Sequence, residues 1–495
     1  MANHQISLDQ AQKAVLEASK KVKGTPYRLG YHIMAPAHWI NDPNGLIQWN
    51  DEYHVFYQHH PYSPKGGPIH WGHMKSKDLV YWEHLPIALA PGEDYDKSGC
   101  FSGSAVDHNG ILTLIYTGHV NTDSEKEEFI EYQCIAESTD GIHFIKHPNN
   151  PVITEPPENG SPHFRDPKIW KQGEKWYMVL GNQVDQLGNV ILYESTNLVD
   201  WEYKGDIARS TGKMGYMFEC PDFFELDGKH ILLFSPQGIE PEGDLYQNLY
   251  QNGYYIGEFS YDTKKFEYGD FIELDKGFDF YAGQSFLDDK GRRIVLGWMS
   301  MWESQMPEQE HGWAGAMTIP REIKLNEHNK LVMTPVEELK KLRGEHQSLN
   351  RMVISEIQRL ATIKGQSLEI IAEFSLKGCS AKRFGMNIRT SEDRQEKTTI
   401  FYDQDLQKVT IDRNHSGTGE GGIRRSELDL TDPDTIKFHL FIDRSSVEVF
   451  MNDGNTVMTA RIYPDPSSVF VELFSEDGKV QLLNLDAWEL ADIWG

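Results

Sequence analysis

Five stretches of this chain can be laid over one another, and that weak internal repetition limits its fold more than any other feature. They are NDPNGLIQWNDEYHVFYQHH from Asn41, CFSGSAVDHNGILTLIYTGH from Cys100, FRDPKIWKQGEKWYMVLGN from Phe164, FECPDFFELDGKHILLFSP from Phe218 and FYAGQSFLDDKGRRIVLGWM from Phe280. Each runs from a polar or aromatic start through a short apolar strand and a turn into a second, strongly apolar strand. The turns, Asn50-Asp51, Asn109-Gly110, Gln172-Gly173, Asp227-Gly228 and Lys290-Gly291, have hairpin chemistry. Four of the five repeats carry a later strand marked by an aromatic residue, among them Trp82, Phe144 and Trp201. A period of about 60 residues suits one four-stranded sheet with its loops, the blade of a β-propeller.

At 495 residues the chain exceeds one ordinary core. Past Arg321 the pattern changes. PVEELKKLR, residues 335–343, reads as a linking helix, and alternating strands follow at Ser367–Phe374, Thr398–Tyr402, Thr435–Asp443 and Ser446–Met451, the spacing of a β-sandwich. Apolar Ala11, Ala14, Val15 and Ala18 share one face of a helix over residues 7–23. The expectation is an all-β protein. A leader helix and linker occupy residues 1–30, a five-bladed propeller 31–335, a linker helix 336–345 and a β-sandwich 346–495.

Charge narrows the partners. With 48 basic and 75 acidic residues the formal charge is −27, which repels nucleic acid and anionic membrane surfaces and leaves a small molecule as the partner. The four cysteines lack CxxC or zinc-like spacing, and the first 24 residues lack the apolar core of a signal peptide, so a cytoplasmic protein with reduced thiols is expected. His59, His60, His70 and His73 show no metal-ligand spacing and read as hydrogen-bonding residues.

In a propeller the innermost strand of every blade begins near the axis, so residues at these starts converge. The starts hold Asp42, Ser102, Asp166, Glu219 and Tyr281 with Gln284. Three are carboxylates, and each lies one or two residues before a proline, which restricts the preceding residue to extended backbone and aims the side chain. Pro43, Asn44 and Gly45 read as a turn that points Asp42 at the axis. Carboxylates crowded in a funnel divide into ionised and protonated partners, the equipment of glycoside hydrolysis. Aromatic neighbours Trp39, Tyr57, Trp71, Phe101 and Tyr281 offer faces for sugar rings. Cys220 has no His or Asn partner that would make it a nucleophile and reads as packing.

The segments WINDPNG (39–45), FSGSAV (101–106), FRDP (164–167), FECPD (218–222) and FDFYAGQSF (278–286) closely resemble the signatures of the β-fructofuranosidases of glycoside hydrolase family 32. The resemblance implies a five-bladed propeller followed by a β-sandwich, hydrolysis of terminal β-fructofuranosides with retention, and no metal or organic cofactor. It assigns Asp42 as nucleophile, Glu219 as general acid/base and Asp166 as the residue that holds fructose hydroxyls. Asn41 and Gln58 match the sugar-binding amides and Arg165 a tuner of a carboxylate; Trp39, Trp71, Phe101, Ser102 and Tyr281 complete the expected substrate contacts.

Within the family the nearer resemblance is to intracellular enzymes acting on sucrose 6-phosphate, with plain sucrose as the runner-up and exo-acting fructan hydrolysis third. Fructosyl transfer uses the same three acids, and a sugar-binding propeller would keep the aromatic residues without the acid pair. A monomer or homodimer acting on sucrose, sucrose 6-phosphate or short fructo-oligosaccharides is the expected form. Lys65, Lys97 and Lys276 are candidates for a phosphate contact. The sandwich segment IDRSSVEVFMNDG, residues 442–454, reads as structural.

Overall fold

The computed structural model describes residues 2–495 apart from 124, 127, 159 and 431. Five antiparallel sheets follow one another along the chain and form the propeller. Blade I contains His38–Trp49, Glu52–His60, His70–Ser76 and Trp82–Leu89; blade II begins with Gly99–His108, blade III with Phe164–Gln172, blade IV with Met217–Leu226 and blade V with Tyr281–Leu287. The ring closes where Trp313–Ala314 pairs in parallel with His38 and Trp39 at the start of blade I. Interleaved apolar strands fill the seams: Phe218 and Phe234 of blade IV share a buried cluster with Val179, Val190 and Leu192 of blade III.

Hairpin turns fall where residues that tolerate positive φ stand. Asn50 and Asp51 have φ of 50° and 63°, Asn109 and Gly110 58° and 83°, Asp227 and Gly228 51° and 77°. The leader helix is Ala2–Val22, starting earlier than the apolar periodicity indicates, with Ala11 and Val15 buried against Ile87 of blade I. Residues 335–343 do not form an α-helix. They make a 3-10 turn over Glu337–Leu342 that buries Leu339 and Leu342, and the first strand of the sandwich, Arg343–Leu349, starts at once. Seven- and six-stranded sheets then stack over a shared apolar core.

Propeller and sandwich meet through buried charge. His32 donates or accepts at Asp443 (2.8 Å) and Glu448 (2.9 Å), Arg321 reaches Asp275 (2.9 Å) and Glu448 (2.5 Å), and Arg461 and Arg413 hold Asp279 (2.9 and 2.8 Å). No helix among the described residues is long and apolar enough to cross a membrane.

Candidate active site

All five innermost strands carry a β-bulge near the axis, and the register locates it. Two residues face one on the neighbouring strand at Asn41-Asp42, Phe101-Ser102, Asp166-Pro167, Cys220-Pro221 and Ala282-Gly283. Bulges re-aim side chains and break pairing, and here they do so at one level of the ring. The three carboxylates are therefore not at one equivalent position: Asp42 is the second bulge residue, Asp166 the first, and Glu219 stands just before the bulge.

Two local expectations fail for the same reason. Asp166 and Cys220 precede prolines yet have φ of 64° and 48°, and Ala282, the matching residue of blade V, has 52°. Left-handed backbone at a residue that also precedes proline is costly, of order 1–3 kcal/mol, and persists only where the surroundings impose it. WINDPNG, in turn, is no turn. It lies within the continuous strand His38–Trp49, interrupted by two bulges, the second of which places Gly45 at φ 53°. A Cβ there would come within 2.6 Å of the Phe56 ring, so only glycine fits.

The bulges open onto a cavity of about 460 Å³ whose wall includes Asp42, Asp166, Glu219, Arg165, Asn41, Gln58, Trp39, Phe101 and Ser102. Asp42 Oδ2 accepts from Ser102 Oγ at 2.7 Å and Oδ1 from Asn41 Nδ2 at 3.1 Å, while Asn41 is fixed by Trp39 Nε1 at 2.7 Å. Glu219 is gripped on both oxygens. Arg165 Nη2 (2.7 Å) and Nε (3.2 Å) donate to Oε1, and Tyr281 O–H (2.5 Å) and Gln237 Nε2 (2.8 Å) donate to Oε2. Asp166 Oδ2 accepts from the Cys220 backbone N–H at 2.9 Å. The Cys220 thiol sits between two acids, its Sγ 3.5 Å from Asp42 Oδ2 and 3.6 Å from Asp166 Oδ2. Burial and the neighbouring carboxylates push that thiol well up, so it stays protonated and donates.

Burial raises Asp42 to about 6, with Glu219 adding to it, against the lowering effect of the donors Ser102, Asn41 and Cys220. Burial also drives Asp166 upward; the Arg165 guanidinium opposes it, and the charges of Glu219 and Asp42 reinforce it. Asp42 and Asp166 thus ionise less readily than free carboxylates.

Two expected sugar contacts lie elsewhere. Trp71 is fully buried against Phe56, and its Nε1 donates to the Phe101 carbonyl at 3.0 Å, so it supports the wall from behind. Tyr281 is 1 % exposed and reaches the site through its hydroxyl on Glu219. The four histidines hydrogen-bond to Trp39 O, Lys65 O, Pro68 O and His54.

Other residues join the site that the repeat alignment missed. Glu131 lies 3.6 Å from Arg165 and 3.4 Å from His119; burial raises it, but Arg165 and His119 outweigh that and hold it below the usual carboxylate range. His119 stacks on Phe101 at 4.2 Å, and Trp302 lies 5.9 Å from Trp39 across the rim. Gln237, Glu131 and Trp302 stand on later strands or loops, where the comparison of innermost strands does not look.

The chain matches the Glycosyl hydrolases family 32 N-terminal domain over residues 32–335 and the Glycosyl hydrolases family 32 C terminal domain over residues 338–489. It is 43% identical to a sucrose-6-phosphate hydrolase of Escherichia coli, over 98% of this chain and 99% of that protein. Among solved structures, it is similar to a Bombyx mori β-fructofuranosidase variant in complex with sucrose (TM-score 0.87, 38% identity, 98% of each chain). A sucrose-6-phosphate hydrolase of Lactobacillus gasseri is also similar (TM-score 0.87, 31% identity, 97% of this chain and 96% of that one).

Proposed function

This chain belongs to glycoside hydrolase family 32, and from that premise we propose that Asp42, Glu219 and Asp166 divide the work of cleaving a β-fructofuranosyl bond with retention. The enzyme is a β-fructofuranosidase acting on sucrose or its 6-phosphate. Asp42 attacks the fructose anomeric carbon while Glu219 protonates the departing glucosyl oxygen; water then releases the fructosyl-enzyme with Glu219 as base. Geometry supports this division. Asp42 is held by two neutral side-chain donors and a thiol, which leave a carboxylate free to attack. Glu219 faces Tyr281, whose hydroxyl donates to the ionised carboxylate and accepts from the protonated one, so a single contact serves both halves of the cycle. Asp166 lies deepest of the three and suits contact with fructose hydroxyls. The unpaired cysteines accord with action in the cytoplasm.

The cavity wall supports sucrose over sucrose 6-phosphate, against the order read from the sequence, which the similar sucrose-6-phosphate hydrolases support. Asp42, Asp166, Glu219 and Glu131 line it against Arg165 alone, and Arg165 is already held by Glu219 and Glu131. Among the described lining residues there is no lysine. Lys276 is paired with Glu273 at 3.1 Å, and of the three lysines only Lys65, exposed and next to the lining Gly66, is adjacent in sequence to the wall. Among the described lining residues the one arginine or lysine is Arg165, already paired, which disfavours a phosphate dianion in the cavity itself. Initial rates on the two sugars test this: kcat/KM for sucrose is expected to exceed that for the phosphate roughly tenfold or more. A higher value on sucrose 6-phosphate that drops on Lys65→Glu would reverse the reading.

A further inference from the structure

A second cavity, about 900 Å³, lies where the end of the leader helix, the segment after it, the sandwich and residues 492–495 meet. Its walls carry the charge opposite to that of the molecule. Lys20, Lys23, Arg28, Arg389 and Arg444 line it, and the one acidic side chain among the described lining residues, Asp492, is already taken by Arg444 Nη2 at 2.7 Å. In a chain of net charge −27 such a concentration of cations is unexpected from composition.

Two of these arginines are held without a carboxylate. Arg28 donates from Nη2 to the Ala35 carbonyl at 2.5 Å, lies over the Trp313 ring at 5.2 Å, and has Nη1 buried with no acceptor. Among the described residues Arg389, 2 % exposed, donates only to backbone carbonyls, those of Ser468 (2.7 Å), Arg444 (2.7 Å), Asp443 (3.4 Å) and Asp465 (3.3 Å). Arg321, at the junction of propeller and sandwich, reaches two carboxylates instead. Burying a guanidinium is costly, and burial holds Arg28 and Arg389 at about 10, below the ordinary arginine range, against the opposing charges of Asp443, Glu396 and Asp465 at Arg389. Lysines in the last turn of a helix are explained by its dipole. That explanation does not extend to Arg28, in the segment after the helix, or to Arg389 and Arg444, in the sandwich.

The lining also includes apolar surface: Tyr27, Pro36, Pro464, Pro466 and Trp494, whose ring stacks on His84 at 5.0 Å. Cationic groups and apolar, ring-sized surfaces in one lining match the two halves of a ligand that carries both charge and a ring. We propose that this cavity binds a phosphorylated small molecule carrying a ring, a sugar phosphate or a nucleotide. Its volume lies within the range that encloses such ligands. The phosphate meets Arg28 and the exposed Lys20 and Lys23, and the ring lies along the prolines and Trp494. The bound molecule ties the leader helix to the sandwich, so it raises Tm with concentration.

Isothermal titration and thermal melting of the full chain, with inorganic phosphate, glucose 6-phosphate and AMP as probes and glucose and adenosine as uncharged controls, test this directly. Saturable binding of glucose 6-phosphate or AMP, tighter than that of inorganic phosphate and absent for both controls, is the expected result; which of the two binds tighter distinguishes the sugar from the nucleotide source. The double variant Lys20→Glu/Lys23→Glu, at two exposed positions, weakens that binding by roughly tenfold or more and leaves kcat on sucrose unchanged. Arg28→Gln is expected to abolish the rise in Tm. Three outcomes overturn the proposal: no saturable binding of any phosphate up to millimolar concentration; equal binding by the lysine double variant, which would place the phosphate elsewhere, the catalytic cavity included; or binding of inorganic phosphate as tight as that of both ring-bearing probes.

Discussion

The molecule buries carboxylates in two places and treats them in opposite ways. At the junction of propeller and sandwich, Asp275, Asp279, Asp443 and Glu448 face Arg321, Arg413, Arg461 and His32, and the pairing is close to one for one. Burial raises each acid, but the cations outweigh it at Asp279, Asp443 and Glu448, which end below the usual range; only at Asp275 does burial win. In the cavity at the propeller axis, Asp42, Asp166, Glu219 and Glu131 stand with one guanidinium among the described lining residues, that of Arg165, which is paired with Glu219 and Glu131. Asp42 and Asp166 are left raised. Neutralised charge locks two domains together, whereas charge left uncompensated is available for a substrate, and the difference lies in the number of cations rather than in depth.

The sharpest way to break that comparison is to remove one carboxylate from the axis. Asp42→Asn should lower turnover on sucrose by at least about 10³-fold, because the proposed nucleophile is gone, while Tm holds or rises as the like-charge crowding is relieved. Near-normal turnover would remove Asp42 from the chemistry. Arg321→Met should do the reverse: kcat of the folded enzyme persists, but Asp275 and Glu448 lose their shared cation, at a cost of about 3–5 kcal/mol, read as a lower urea midpoint. Unchanged stability would mean that the buried network is replaceable by packing alone.

The junction also carries a pH signature. His32, between Asp443 and Glu448, is raised from 6.5 to about 9, since those hydrogen bonds and charges outweigh its burial. A group raised on folding stabilises fully below its unfolded value and loses that contribution as pH climbs through the folded one. Stability should therefore fall between pH 6.5 and 9 by about 3 kcal/mol, and the fall should be much smaller in His32→Gln, measured as urea midpoints across that window. An equal fall in both proteins would place the proton elsewhere.

Both regions show which features were readable in the chain. The five repeats were legible because apolar periodicity and hairpin residues are local, and the five sheets stand where they fall. What escaped was register. Whether Asp166 precedes or occupies a bulge depends on the pairing of its neighbours Arg165 and Lys168 with Gly181 and Val179 of the next strand, which no local pattern states. The same gap made Pro43-Asn44-Gly45 read as a turn, placed Trp71 at the sugar although it lies behind Phe101, and left Gln237 and Glu131 unseen because they stand outside the innermost strands. The junction was invisible altogether: Arg321 and Glu448 are 127 residues apart, and nothing near either one announces the other.

The smallest effect separates the two roles a donor can have at the axis. Ser102 gives Asp42 its shortest hydrogen bond, 2.7 Å to Oδ2, and that bond favours the ionised carboxylate. Asp42 must be ionised to attack, so kcat/KM for sucrose should fall on the acid side as pH drops through about 6. Ser102→Ala removes the donor, raises Asp42 further and should move that acid limb upward by about one pH unit, the equivalent of one hydrogen bond to a charged group. If Ser102 only filled space, the limb would stay and KM alone would change. A downward shift would mean that the limb belongs to another group of the crowded set, with Asp166, the other raised carboxylate, next to be examined by the same pH profile in Asp166→Asn.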